Sequence, residues 1–245
     1  NIHRQCANVV TSNSRGAGRA YDRAYALEYD MWDGCDFYST HPEEYEQILR
    51  TYFAAGADVI WPELALFPVR DGQVGISRAG RTYLEFARYA KTHPPRGRQV
   101  VDIAVMRGLG DYWNRISGPA NPWRNFLRGY AGLKDYTLLD IFFADFGNAH
   151  RTHPNRLGTG TPYGPVDMIP WDTPQSHLDT FDLVVFMGGP NAMDERQYSA
   201  LKKFVRSGGT LVSALGLFRR DDRQYHRADM RELLGVEAVE AGEVD

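Results

Sequence analysis

Hydrophobic and polar positions near the amino terminus change between helical and strand spacing. Apolar residues recur at helical spacing in the first ten positions, which predicts a helix that ends at Gly16 and Gly18. The next segment, "RAYALE", predicts a short buried strand. In "THPEE", Thr40 and Glu43 have the spacing of a capping box and Pro42 lies in the first turn, so a second helix is predicted to begin there.

The second helix is predicted to continue to Gly56, with one apolar face formed by Tyr45, Ile48, Leu49, Tyr52 and Phe53. "DVIWPEL" then predicts a strand, "VRDGQVG" a polar loop, and Ser77 the N-cap of a helix through "TYLEFARYAK". This helix–strand–helix–strand–helix order is typical of a parallel α/β fold. Because two strands are too few to close a domain, we expect residues 1–93 to be the last βα units of a (β/α)8 barrel.

The segment "THPPRGR" breaks the third helix, so we predict a linker over residues 94–98 and a second domain over residues 99–245. Strands are predicted at "VVDIAVM", "PVDMIP", "FDLVVFMGG" and "TLVSALG". Helices are predicted at "LKDYTLLDIFFADFG", "DERQYSALKKFVRSGG" and "ADMRELLGV". This series predicts a Rossmann-like or flavodoxin-like domain.

Composition narrows the classes of partner. The 245 residues are 43% hydrophobic, enough for a core, and the net charge of -3 implies no basic surface for nucleic acid. No apolar run approaches the roughly 18 residues that span a bilayer, so no membrane partner is expected. The chain starts at Asn1 without Met and shows no signal peptide, so we expect it to be a piece of a longer protein. Its compartment, and whether Cys6 and Cys35 pair, stay open.

The second domain offers little support for chemistry of its own. A strand ending in "MGG" and a later strand before a tight turn resemble the class I amidotransferase fold, but its thiolate nucleophile is missing, since Ala214 lies near that position. The Gly108–Gly110 pair lacks the third glycine of a dinucleotide fingerprint. His150 and His153 lack a third metal ligand. No metal and no cofactor are therefore expected.

The carboxyl ends of the two strands in the first domain are better candidates, since barrel enzymes place catalytic groups there. Glu28 ends the first strand, and "WPE", Trp61 to Glu63, ends the second. Glycoside hydrolysis needs two carboxylates, and a separation of about 5 Å goes with a covalent glycosyl-enzyme intermediate. Alternatively, Glu28 forms a salt bridge and Trp61 is a core aromatic. The residues alone do not decide between these interpretations.

Two resemblances favour the glycosidase. Residues 99–240, with "PVDMIPWD", "FDLVV", "FVRSGGTLV" and "ELLGVEAVE", are similar to the trimerisation domain of family 42 β-galactosidases, which follows a (β/α)8 barrel. The segments "RQCANVV" and "AYALEYDMW" resemble the strand-7 region of clan A retaining glycosidases. That resemblance implies that Glu28 is the nucleophile and that Trp61 floors the substrate subsite. It also implies an acid/base Glu on the fourth strand of the complete barrel, and that strand would precede Asn1.

These resemblances imply part of a retaining, β-galactosidase-like glycoside hydrolase that acts on a carbohydrate by double displacement. Further substrate contacts are expected from Asp30, Trp32, Tyr38 and Glu63. A homo-oligomer is expected, with a trimer favoured. The alternative is a non-catalytic carbohydrate-binding or assembly protein of the same architecture.

Overall fold

The computed structural model describes residues 2–29, 42–62, 66–94, 97–107, 163–188, 195–213 and 233–235. The protein is a mixed α/β protein with parallel sheets. It divides into two compact units. Among the described residues, the first unit contains 2–101 and 163–168, and the second contains 102–107 and those from 169 onward.

The first unit has three helices and two parallel strands in the predicted order, with an additional hairpin before the last helix. Its elements are α1 (Ile2–Ala20), β1 (Ala26–Tyr29), α2 (Pro42–Ala55), β2 (Val59–Pro62), β3 (Val69–Arg70), β4 (Gln73–Val74) and α3 (Arg78–Thr92). Strands β1 and β2 pair in parallel, and β3 and β4 form an antiparallel hairpin. The core lies between the β1–β2 pair and helices α2 and α3.

Helices α2 and α3 follow their sequence signals closely. The predicted apolar face of α2 is buried, apart from the partly buried Phe53. After Ala55, Gly56 N–H donates to the Phe53 carbonyl and Ala57 N–H to the Tyr52 carbonyl, as in a Schellman motif. The hydroxyl of Ser77 accepts a hydrogen bond from Gly80 N–H at 2.9 Å, which confirms the predicted N-cap of α3.

The predicted end of the first helix is wrong. Helix α1 continues through Gly16 and Gly18 to Ala20. Gly16 lies against the backbone of Met168, and a Cβ added there would collide with the Met168 carbonyl oxygen. Gly16 therefore allows a close approach of two backbones inside the unit and does not end the helix.

The predicted polar loop after β2 is a short hairpin. Asp71 and Gly72 have φ values of 52° and 76°, so both central residues of the turn are in the left-handed region. An Asp-Gly pair with these angles matches the two-residue turn that suits the right-handed twist of a hairpin. Val69 is paired with Val74 across it, so "DG" between two valines is a hairpin signal and the segment is not an irregular loop.

The second unit is built on a parallel sheet. Its elements are β5 (Ile103–Arg107), α4 (Gln175–Leu178), β7 (Leu183–Gly188), α5 (Glu195–Arg206) and β8 (Thr210–Ser213), whereas β6 (Val166–Ile169) belongs to the first unit as far as Met168. Within this unit the strand order is β5–β7–β8, and both strand pairs are parallel. Consecutive residues Val184, Val185 and Phe186 are all buried, so both faces of β7 are covered, as expected of a central parallel strand.

All four predicted strands of residues 99–245 are present, and α5 forms where predicted. The short helix α4 was not predicted. The predicted helix at "LKDYTLLDIFFADFG" and most of the one at "ADMRELLGV" lie outside the described residues. The linker at 94–98 and the domain boundaries set by it stay predictions.

Candidate functional site

Glu28 and Trp61 lie side by side at the carboxyl ends of two adjacent parallel strands. In the β1–β2 ladder the Cα of Glu28 is the register partner of the Cα of Trp61. Neighbouring strands lie about 4.8 Å apart, and register partners in a parallel pair project to the same face. The fold therefore brings the acid and the indole, 33 positions apart in the chain, together at one edge of the sheet.

The two faces of this strand pair differ in burial. Leu27 is fully buried and Ile60 packs on the same core, so these two residues face helices α2 and α3. Glu28 is exposed, Trp61 is 59% exposed and Val59 is 53% exposed on the opposite face. Trp61 is thus not a core aromatic. A carboxylate and an accessible aromatic surface share a face that the helices do not cover.

Tyrosine hydroxyls from the helices contact the backbone of both strands. The Tyr52 hydroxyl on α2 donates to the Glu28 carbonyl at 3.5 Å, and the Tyr83 hydroxyl on α3 donates to the Ile60 carbonyl at 3.2 Å. Both rings belong to or pack against the core behind the sheet. The strand ends that carry Glu28 and Trp61 are therefore contacted from the helix side by apolar side chains and by two phenol hydroxyls, whose hydrogen bonds are longer than the usual O–H···O distance of about 2.8 Å.

Tyr25 fixes the opposite, amino-terminal end of the strand pair. Its hydroxyl donates to the Ala55 carbonyl at 2.5 Å, and its backbone N–H donates to Asp58 Oδ2 at 3.0 Å. Burial raises the pKa of the Tyr25 phenol above its ordinary value, because the charged form would lose solvation, although Arg15 and Arg19 act in the other direction. The phenol thus stays a neutral hydrogen-bond donor at neutral pH.

A buried ion-pair cluster joins α1 to β6 within the first unit. Arg15 Nε donates to Asp167 Oδ1 at 2.5 Å, and both side chains are almost fully buried. Arg15 also donates to Gln99 Oε1 and to the Val166 carbonyl, and Arg19 lies 3.5 Å from Asp167 Oδ2. Burial lowers the pKa of the Arg19 guanidinium, and the Asp167 charge opposes that effect. These internal contacts stabilise the unit, and no local sequence signal indicated them, because Arg15 and Asp167 are 152 positions apart.

The other sequence candidates lie outside the described residues: Asp30, Trp32, Tyr38, Glu63, Gly108, Gly110, His150, His153 and Ala214. The structure therefore places Glu28 and Trp61 together and leaves the remaining contacts as predictions. Within the described part of the chain, no group of three His, Cys, Asp or Glu side chains could hold a metal ion. None of the helices described is long and apolar enough to cross a membrane.

The class that fold and site define is a mixed α/β protein with a carboxylate–aromatic pair at the carboxyl ends of adjacent parallel strands. Comparison with known proteins adds no narrower assignment. No protein-family model matches this chain, and no curated protein sequence matches it.

Proposed function

We propose that this chain is part of a retaining glycoside hydrolase of the β-galactosidase-like kind, with Glu28 as its nucleophile. The observation that carries the proposal is the register pairing of Glu28 with Trp61 on the exposed face of β1 and β2. A carboxylate beside an accessible indole suits a pyranose, whose apolar face stacks on an aromatic ring while its anomeric carbon faces the acid.

The parallel strand–helix units of the first unit also support the proposal. Two parallel strands, each followed by a helix that packs on one face, form the repeating unit of a (β/α)8 barrel. In such a barrel the face opposite the helices points to the interior, and catalytic residues project from it at the carboxyl ends of strands. The position of Glu28 fits this placement. The second unit, a parallel α/β sheet, would then be the amidotransferase-like domain that mediates homo-oligomer formation, with a trimer favoured.

The proposed reaction is a double displacement. The Glu28 carboxylate attacks the anomeric carbon, and the bond to the leaving oxygen breaks as an acid on the opposite side of the sugar protonates that oxygen. The same group then removes a proton from water, which attacks the anomeric carbon and releases Glu28. In this scheme the acid/base is a Glu that precedes Asn1, and neither a metal nor a cofactor is required.

The direct test is the Glu28→Gln variant of the full-length protein, assayed against aryl glycosides of several sugars in both anomeric configurations. We expect hydrolysis to fall by at least about a thousandfold, because the amide is a poor nucleophile while its shape is nearly unchanged. Glu46→Gln, an exposed acid on α2, is the matched control and should keep full activity. Near-normal hydrolysis by Glu28→Gln would contradict the assignment.

A second measurement detects the covalent intermediate. A 2-deoxy-2-fluoro glycoside of the preferred sugar should add one glycosyl unit to the wild-type protein, on the peptide that contains Glu28. The alternative function, carbohydrate binding or assembly without catalysis, is favoured by the exposed indole alone. It predicts no hydrolysis and no covalent adduct, together with sugar binding that Trp61→Ala weakens.

A further inference from the structure

In each of the two successive βα units of the first unit, a tyrosine on the helix contacts a carbonyl of the strand that precedes it. Tyr52 on α2 donates its hydroxyl to the carbonyl of Glu28 on β1, and Tyr83 on α3 donates to the carbonyl of Ile60 on β2. Each tyrosine lies on the helix that follows the strand it contacts, and the two residues of each pair are 24 and 23 positions apart in the sequence. The contacted carbonyls belong to Glu28 itself and to the residue before Trp61.

The rings of both tyrosines are held by the core, which makes their hydroxyls fixed reference points. Tyr52 is only 2% exposed and belongs to the buried cluster that contains Leu27 and Phe86. Tyr83 packs against the same cluster. A phenol has two side-chain torsions, so a packed ring leaves its hydroxyl little freedom to move.

Fixing a backbone carbonyl also fixes the side chain on the same residue. The orientation of the peptide plane that follows Glu28 sets the backbone angles of Glu28 and hence the direction of its Cα–Cβ bond. The Tyr83 hydroxyl contacts the peptide plane between Ile60 and Trp61, whose orientation sets the φ angle of Trp61. Reaction rates depend strongly on such alignment, and a displacement of about 1 Å can cost about a hundredfold.

We propose that Tyr52 and Tyr83 are positioning residues, Tyr52 for the Glu28 carboxylate and Tyr83 for the Trp61 indole. This inference rests on the proposed glycosidase function. Neither hydroxyl contacts substrate in this scheme. Each acts through the strand backbone, from the side of the sheet opposite the substrate.

The test compares three Tyr→Phe variants of the full-length protein, each of which loses one hydroxyl and keeps its ring. Tyr52→Phe should lower kcat about three- to thirtyfold with KM within about twofold, because misalignment of the nucleophile affects the transition state more than substrate binding. Tyr83→Phe should raise KM about three- to tenfold with a smaller change in kcat, because the stacking surface shifts.

Tyr25→Phe is the matched control. The Tyr25 hydroxyl donates to the Ala55 carbonyl at 2.5 Å, which is shorter than the hydrogen bonds of Tyr52 and Tyr83. Tyr25 lies next to the amino-terminal end of β1, away from Glu28 and Trp61. This variant should lower the unfolding midpoint at least as much as the other two and leave kcat and KM unchanged. A purely structural role for Tyr52 and Tyr83 would instead give all three variants the same kinetic constants as the wild type.

Trapping by the 2-deoxy-2-fluoro glycoside separates this inference from the proposed function. If Glu28→Gln abolishes hydrolysis and Tyr52→Phe slows trapping while Tyr25→Phe does not, the positioning role is supported. If Glu28→Gln abolishes hydrolysis but Tyr52→Phe and Tyr83→Phe keep wild-type trapping rates, kcat and KM, the positioning role is overturned and the nucleophile stands. Should Tyr52→Phe fail to fold, the kinetics of Tyr83→Phe decide. Wild-type hydrolysis by Glu28→Gln would overturn both.

Discussion

At the scale of single residues, Tyr25 gives a pH dependence that can be measured. Its phenol has a pKa above the ordinary 10.0 in the folded protein, mainly because of burial. The resulting contribution to stability is complete below the pKa of the unfolded chain and is lost as pH rises through the folded pKa, since the unfolded state releases the proton first.

We therefore expect the free energy of unfolding to fall as pH rises above about 10, and to fall less in Tyr25→Phe, which has no proton to lose. Urea denaturation at about pH 8 and about pH 11 measures this, with the difference between the two proteins isolating the phenol from other groups that titrate there. Equal losses in the two proteins would show that the Tyr25 phenol titrates normally.

At the scale of elements, helix α1 depends on a glycine where helix propensity alone would favour alanine. Alanine is better than glycine in a helix by about 1 kcal/mol, but a Cβ at Gly16 would collide with the Met168 carbonyl. Backbone atoms cannot move aside as a flexible side chain can, so overpacking outweighs the gain in propensity.

Gly16→Ala should thus lower the free energy of unfolding by about 2 kcal/mol, as overpacking typically does. Gly97→Ala is the control, because a Cβ at Gly97 meets no atom within 4 Å, and this variant should be neutral or slightly stabilising. Chemical denaturation of both variants decides the matter. A Gly16→Ala protein as stable as the control would mean that β6 can shift away from α1.

At the scale of the whole molecule, the first unit combines segments from distant parts of the chain. One contact that joins them is the ion pair of Arg15 with Asp167, whose side chains are 3% and 1% exposed. Removing one member leaves the other charge buried and unpaired, which is far more costly than losing an exposed pair.

Asp167→Asn should lower the free energy of unfolding by about 3–5 kcal/mol, because the buried Arg15 then keeps its charge without an opposite charge beside it. Glu46→Gln breaks the exposed pair with Arg50 on α2, whose side chains are 45% and 46% exposed, and should cost at most about 0.5 kcal/mol. Thermal and urea unfolding of the two variants measure the contrast. Similar losses would show that the Arg15 site is hydrated in solution.

Local signals were sufficient for much of the fold. Pro42 and Gly56 bound α2, Ser77 caps α3, and alternating or continuous apolar runs mark the strands, because backbone geometry and burial periodicity act over a few residues. The same local logic misjudged Gly16, whose role depends on Met168, about 150 positions away in the chain. The hairpin at Asp71 and Gly72 differs in kind, because its turn signal is local and is present in the sequence.

The sequence by itself determined the mixed α/β class and the order of the main described strands and helices, apart from the β3–β4 hairpin and the short helix α4, since each depends on local patterning. Only the tertiary structure decided that Glu28 and Trp61 are register partners on one exposed face, that Tyr52 and Tyr83 hold the strands behind them, and that Arg15 pairs with Asp167. The physical reason is that strand register, the face of the sheet to which a side chain projects, and burial all depend on contacts between residues distant in sequence. No local pattern specifies those partners.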